Sequence, residues 1–469
     1  MRIVVVGGDA AGMSAAHTAL RRARAAGRPV EVVVLEAGGD TSYSACGIPY
    51  WIAGEVGDGE ELVARTAEEH RSAGIDLRLH TRATALDPVR RTVTATTADG
   101  AEEALRYDEL VLATGAHPVH PDWAERDGEP IAGIHSVKTL VDGARWNELI
   151  AEAETAAAAR GGHDHGAGPR AVVVGAGYLG IEMAEAFLRR GVATTLVTRS
   201  RVMSSLDEEL GDRIAEDLAG AGVVLRSGVE IGEVVSEGGR VRAVVTTAGE
   251  RLPADLVVPA LGVEPTTALG RAAGLPLGEN GGYLPDPGGR VAPGIWAAGD
   301  CCEYRHRITG QRAFVPLGTH ANKTGRILGA NLLGAGWQFG GVLGTAITRF
   351  AAGGEHLEVA RTGLGTEQAL EAGHDVASLV TEGTTASGYM PEAEPITIKV
   401  LADRSDRRLL GVQVVGGPGA GKRIDAAAAA LWGGMTVDDL AWMDLSYAPP
   451  FATAWEVLQV AARRLAERL

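Results

Sequence analysis

The stretch AVVVGAGYLGIE, residues 171–182, decides the fold. A short β-branched run leads into Gly175, Gly177 and Gly180, a complete GxGxxG, and the helical pattern of YLGIEMAEAFLRRG follows. A strand that opens through such a turn into a helix lets bare backbone approach a pyrophosphate, with helix N–H groups pointing at it. The next strand, ATTLVTR, ends at Thr198, with Arg199 and Arg201 beyond it and no carboxylate to accept from a ribose 2′-hydroxyl. Arginines pair with a 2′-phosphate, so this site is predicted to favour NADPH over NADH.

The same pattern opens the chain. RIVVVGG and EVVVLEA flank the helical stretch AGMSAAHTALRRARAAG, and the turn VVVGGDAAG carries Gly7, Gly8 and Gly12, with Asp9 in place of the middle glycine. Glu36 ends the second strand, where a carboxylate binds an adenosine ribose. Two separated βαβ units predict an α/β protein with two Rossmann-like nucleotide-binding domains. Between them, 151–170 reads as a helix running into a Gly-rich surface loop. Its His163 and His165 are expected to be solvated, and no metal site is predicted. After about residue 340 strands precede helices (422–441 and 451–468), which predicts a separate α+β domain for dimerisation and for completing an active site.

Composition excludes several classes. The 469 residues suffice for about three domains, and the net charge of −16 argues against a nucleic-acid partner. No apolar run approaches membrane-spanning length, and the chain opens directly on a strand, so neither a membrane partner nor a signal peptide is expected. Three cysteines make no disulfide framework, and a reducing cytoplasmic location is predicted.

Three further segments carry a resemblance. LVLATGAHP (110–118, with Ala113, Thr114 and Gly115) and LVVPALGVEPTT (256–267, with Gly262) resemble the interdomain crossings of the pyridine nucleotide–disulfide oxidoreductases. GIWAAGDCCEY (294–304, with Gly299 and Asp300) resembles that family's second flavin motif, whose Asp holds the ribityl chain. The resemblance assigns the first glycine turn, including Ala11, to FAD and the second to NAD(P)H. It implies an FAD-binding domain at 1–118 and 255–336, a nicotinamide-nucleotide domain at 119–254 and a dimerisation domain at 337–469. Tyr178 and Glu182 then resemble residues that gate and orient the nicotinamide.

Within that family the chain resembles the single-cysteine branch: coenzyme A-disulfide reductases, persulfide reductases and NADH oxidases. SYSACGIPYW (42–51) resembles the SFxxCxxPY motif and makes Cys46 the flavin-side thiol. GYMPEAEP and LSYAPPF resemble the two tyrosine motifs of the coenzyme A-disulfide reductases, which implies Tyr389 and Tyr447 as catalytic residues reaching Cys46 from the partner of a homodimer. One protein sulfur suffices if the second belongs to a small disulfide or persulfide substrate. Cys301 and Cys302 are read as packing residues. Ser14, Thr18, Arg21, Arg22, Ser42, Arg65 and Lys323 are the expected substrate-binding residues, with His17, Arg21 and Arg24 on one helix face.

Ala45 stands where the coenzyme A reductases carry Asn, which leaves another small disulfide or a persulfide open as substrate. No rhodanese-like segment is expected after LSYAPPF. The alternatives are an NADH oxidase cycling Cys46 through a sulfenic acid, and an NAD(P)H-sensing flavoprotein with little turnover. Ala10 and Ala11, with no imidazole in the first glycine turn, argue against the oxidase. Intact Cys46, Tyr389 and Tyr447 argue against the sensor.

Overall fold

The computed structural model describes residues 1–159 and 168–469, so His163 and His165 lie outside the described residues. It divides into two compact units, one of 1–48, 58–118 and 263–342, the other of 49–57, 119–262 and 343–469.

The first unit is built on a six-stranded sheet in the order Arg290–Ala292, Ile295–Ala297, Glu109–Leu112, Arg2–Val6, Glu31–Leu35, Asp76–Arg78. All pairs are parallel except that of the edge strand Arg290–Ala292. Val4 and Val5 are fully buried on opposite faces, as a covered parallel sheet requires of a continuous β-branched run. The helices Ala10–Ala25 and Gly318–Asn331 pack with their backbones close together. A Cβ on Gly325 would lie 2.2 Å from the Ala11 carbonyl oxygen, and one on Gly329 would lie 2.3 Å from that of Ala15.

In the second unit a parallel four-stranded sheet runs Val224–Ser227, Ala193–Thr198, Arg170–Val174, Leu256–Pro259. A separate antiparallel sheet of five strands orders Ala346–Ala352, Glu355–Gly363, Leu409–Gly416, Pro395–Asp403 and Val376–Thr384. The helical stretch expected at 422–441 is broken. Gly434 takes a left-handed φ of +68° after the helix Ile424–Gly433, and Thr436 then caps a new helix, Val437–Trp442. The last helix spans Val457–Ala466 rather than starting at 451, because 443–456, which holds Pro449 and Pro450, is not helical.

Candidate active site

The two glycine turns are built to one geometry. Gly7 has φ +105° and Gly175 φ +111°; a Cβ there would meet the Ala113 oxygen at 2.1 Å or the Ala260 oxygen at 2.2 Å. Gly12 and Gly180 would each place a Cβ 1.9 Å from a carbonyl oxygen, of Gly7 and Gly175 respectively. Each turn therefore tolerates only glycine where strand meets helix. Gly177 differs: a Cβ there would meet nothing within 4 Å. Protein packing does not demand that glycine; a pyrophosphate lying before the helix Tyr178–Arg189 would. Gly12→Ala should cost at least about 1–3 kcal/mol by forcing helix and strand apart. Weaker FAD retention on gel filtration and a lower melting temperature would check it.

Around the first turn, Glu36 accepts the Gly8 N–H at 2.7 Å and the Gly38 N–H at 2.7 Å, and the Thr41 hydroxyl donates to the Gly8 carbonyl. Thr114 donates its hydroxyl to the Thr266 carbonyl at 2.5 Å, beside Gly115 with its φ of +67°. The N–H of Gly299 meets the Tyr304 hydroxyl at 2.9 Å, just before half-buried Asp300. These residues fit an FAD: open glycine turn, ribose-side carboxylate and a second acid on one unit. Cys301 and Cys302 are buried, their sulfurs 3.8 Å apart, and Cys301 points its thiol at the Leu112 and Ala298 carbonyls.

In the second unit Thr198 is buried at the end of its strand, while Arg199 is exposed. Arg201 spends a guanidinium N–H on the Leu206 carbonyl at 2.9 Å. Gly262 has a φ of +95° and accepts the Val119 N–H. Burial pushes the Tyr178 hydroxyl up to about 12. Glu182 accepts the Thr348 hydroxyl at 2.9 Å, and burial, against the pull of that bond, pushes its carboxyl up to about 7.

A carboxyl raised in the folded state stabilises it below the unfolded value near 4.5, and that contribution is lost as pH rises through about 7. Wild type should thus lose up to roughly 3 kcal/mol relative to Glu182→Gln between pH 4.5 and 7. Melting temperatures of the two proteins across that range check this.

Cys46 is the only exposed cysteine of the three. It sits in the 3-10 turn Ala45–Gly47, which leads into the short helix Ile48–Ile52. The preceding loop is clamped: the Ala64 N–H donates to Ser42, the Ser44 N–H to Leu62, and Ser42 holds a left-handed φ of +51°. Side-chain-bearing residues reach that region only when the surroundings enforce it.

Beside this loop lies a pocket of about 500 Å³. Ser14, Thr18, Arg21, Ser42 and Arg65 line it, and these five expected residues come together. Arg22 and Lys323 do not line it. The Arg22 guanidinium lies 5.4 Å over the Trp337 ring, and Lys323 is exposed with its charge acting on His320. Arg24 is likewise diverted, donating to the Ala73 carbonyl.

His17, His70, Asn322 and Arg326 continue the pocket wall beside Arg21 and Arg65, with Asp9 also lining it. Asn322 and Arg326 share a helix face at i, i+4, and Asn322 reaches Ser14 at 3.1 Å. That spacing was available in the sequence; nothing local signalled His70. Tyr389 and Tyr447 lie on the second unit, 74% and 51% exposed, among other exposed aromatics that include Trp442 and Phe451. The described residues hold no group of three or more potential metal ligands and no helix long and apolar enough to cross a membrane.

The model of the pyridine nucleotide-disulphide oxidoreductases matches residues 1–320, and the dimerisation domain of that family matches 355–458. A NAD(P)H coenzyme A polysulfide/persulfide reductase of Pyrococcus horikoshii is 36% identical, over 99% of this chain and 98% of its own. The solved NAD-dependent persulfide reductase from A. fulgidus superposes with a TM-score of 0.90 at 32% identity, over 100% of this chain and 83% of that one. An engineered water-forming NADPH oxidase, bound to NADPH, reaches a TM-score of 0.90 at 26% identity, covering 100% of this chain and 99% of its own. Among its substitutions, three consecutive residues Asp-Ala-Met became Ala-Arg-Ser.

Proposed function

Because this chain belongs to the pyridine nucleotide-disulphide oxidoreductases, FAD-dependent enzymes that take electrons from NAD(P)H, we propose that it reduces a low-molecular-weight disulfide or persulfide through Cys46. The observation that carries this is one exposed thiol on a clamped loop beside a pocket walled by arginines, with both other cysteines buried. The second sulfur must then come from the substrate. The names of the relatives, a coenzyme A polysulfide/persulfide reductase and a persulfide reductase, support that class.

The Cys46 thiolate attacks one substrate sulfur, the substrate S–S bond breaks, and one thiolate leaves while the other half stays on Cys46 as a mixed disulfide. FAD, when bound, supplies the two electrons that NADPH brings. With those electrons and one proton the mixed disulfide separates into the Cys46 thiolate and a free thiol. Gly7, Gly8, Gly12, Glu36 and Asp300 would hold FAD. Gly175, Gly177, Gly180 and Arg199 would hold NADPH, with Tyr178 and Glu182 lining the nicotinamide end. The Ala-Arg-Ser introduced into the NADPH-bound engineered oxidase resembles the Thr198-Arg199-Ser200 of this chain in residue type, which supports NADPH.

The dimerisation domain at 355–458 supports a homodimer. In it, Tyr389 and Tyr447 of one protomer would serve Cys46 of the other, protonating the leaving thiolate. Their exposure, with that of Trp442 and Phe451, suits an apolar face covered by a second copy.

The similarity to a water-forming oxidase favours one second reading, in which oxygen replaces the disulfide and Cys46 cycles through a sulfenic acid. NADPH consumption by the FAD-loaded enzyme, followed with coenzyme A disulfide or a persulfide under argon and then with oxygen alone, separates the two. Anaerobic turnover with sulfur substrates is expected; turnover with oxygen only would replace the proposal by the oxidase.

A further inference from the structure

A hydrogen-bonded chain runs along the wall of the cationic pocket into the loop that carries Cys46. Arg65 reaches His17 Nε2 at 3.2 Å, His17 Nε2 meets His70 Nδ1 at 2.7 Å, and His70 Nε2 meets the Ser42 hydroxyl at 3.0 Å. A guanidinium can only donate, which fixes the first two bonds, and the third follows when His70 is neutral. His17 Nε2 therefore accepts, His70 Nδ1 donates to it, and His70 Nε2 accepts the Ser42 O–H.

In this state both imidazoles are neutral. Burial, together with the charges of Arg65, Arg21 and Arg24, holds His17 below its ordinary value. Burial, then His17 and Arg65, push His70 down to about 4, with Glu69 alone pulling upward. Asp9 and Arg326 are the other charged groups on the pocket wall. An anion entering the pocket would offset the cations that keep a proton away. The free site for that proton is His70 Nε2, which would then donate to Ser42, and the Ser42 hydroxyl hydrogen would be released toward the pocket it lines.

We propose that the His17–His70 couple takes up one proton from solvent when an anionic end of the substrate enters this pocket, converting Ser42 from a donor to His70 into a donor to the bound anion. This rests on the reading of the pocket as the seat of the substrate's charged end. His70 is thus a positioning residue, acting through Ser42, four residues ahead of Cys46. Proton and anion bind cooperatively, so anion affinity rises as pH falls through the range in which the couple takes up its proton.

The probe is inorganic sulfate, whose charge is constant over this range, added to FAD-loaded protein carrying ¹³C-labelled histidine. Saturating sulfate is expected to raise the apparent proton affinity of the couple about tenfold or more, read from the ring resonances. Sulfate affinity should rise as pH falls, up to about tenfold per pH unit. His70→Asn keeps a donor toward His17 and an acceptor toward Ser42 but holds no proton, so its sulfate affinity should be far flatter with pH. Sulfate binding that leaves the ring resonances of wild type unshifted overturns the proposal and leaves the pocket assignment standing. Unchanged pH dependence in His70→Asn also overturns it. Binding that is absent, or indifferent to Arg21→Gln, overturns the proposal and the pocket assignment together.

Discussion

Replacing Cys46 by Ser is expected to leave FAD bound and still reduced by NADPH, while turnover of disulfides or persulfides falls by at least about a thousandfold. A serine hydroxyl at neutral pH is neither ionised nor able to form a mixed disulfide, so the effect is loss of the covalent step and not a shift in affinity. Because Cys46 is exposed and flanked by backbone hydrogen bonds from Ser44 and Gly47, the exchange of sulfur for oxygen should not disturb the loop. Anaerobic reduction of the flavin, followed by its reoxidation on adding substrate, reads the two half-reactions apart. Reduction without reoxidation is the predicted pattern for this variant. Normal reoxidation would remove Cys46 from the chemistry.

Arg199→Glu has the second large effect. A guanidinium on a 2′-phosphate contributes about 1.5–3 kcal/mol as a charge-assisted contact, so kcat/KM for NADPH should fall roughly ten- to a hundredfold. The new carboxylate should at the same time accept from the 2′-hydroxyl of NADH and raise use of that nucleotide. Arg199 is exposed at the end of its strand, whereas Arg201 is tied to the Leu206 carbonyl, so Arg201→Gln should alter stability more than nucleotide choice. Steady-state kinetics with both nucleotides on both variants checks the pair. An unchanged preference in Arg199→Glu would refute the assignment.

Much of this was legible in the sequence because local rules govern it. The glycines of both turns announce themselves by spacing, and the structure shows why: a side chain at Gly12 or Gly180 would strike a carbonyl of its own turn. The α+β character of the C-terminal region follows from its strand patterns, but a lone Gly434 inside a helical pattern does not announce a helix end, and the last helix starts later than its composition suggests. The pocket was half legible. His17 and Arg21 share one helix face by simple periodicity, whereas Ser14, Thr18, Ser42 and Arg65 were expected only through the resemblance. Arg22 failed because its guanidinium has a tryptophan to stack on, an energy that periodicity cannot see. His70 was invisible because only tertiary packing brings it to Ser42 and His17, 28 and 53 residues away in sequence.

The most direct test of the central claim is the mass of the Cys46 peptide from protein isolated without added reductant. The account predicts a small thiol or a sulfane sulfur attached to Cys46, lost on treatment with NADPH. A peptide carrying only added oxygen would contradict it and place the chain with the oxidases.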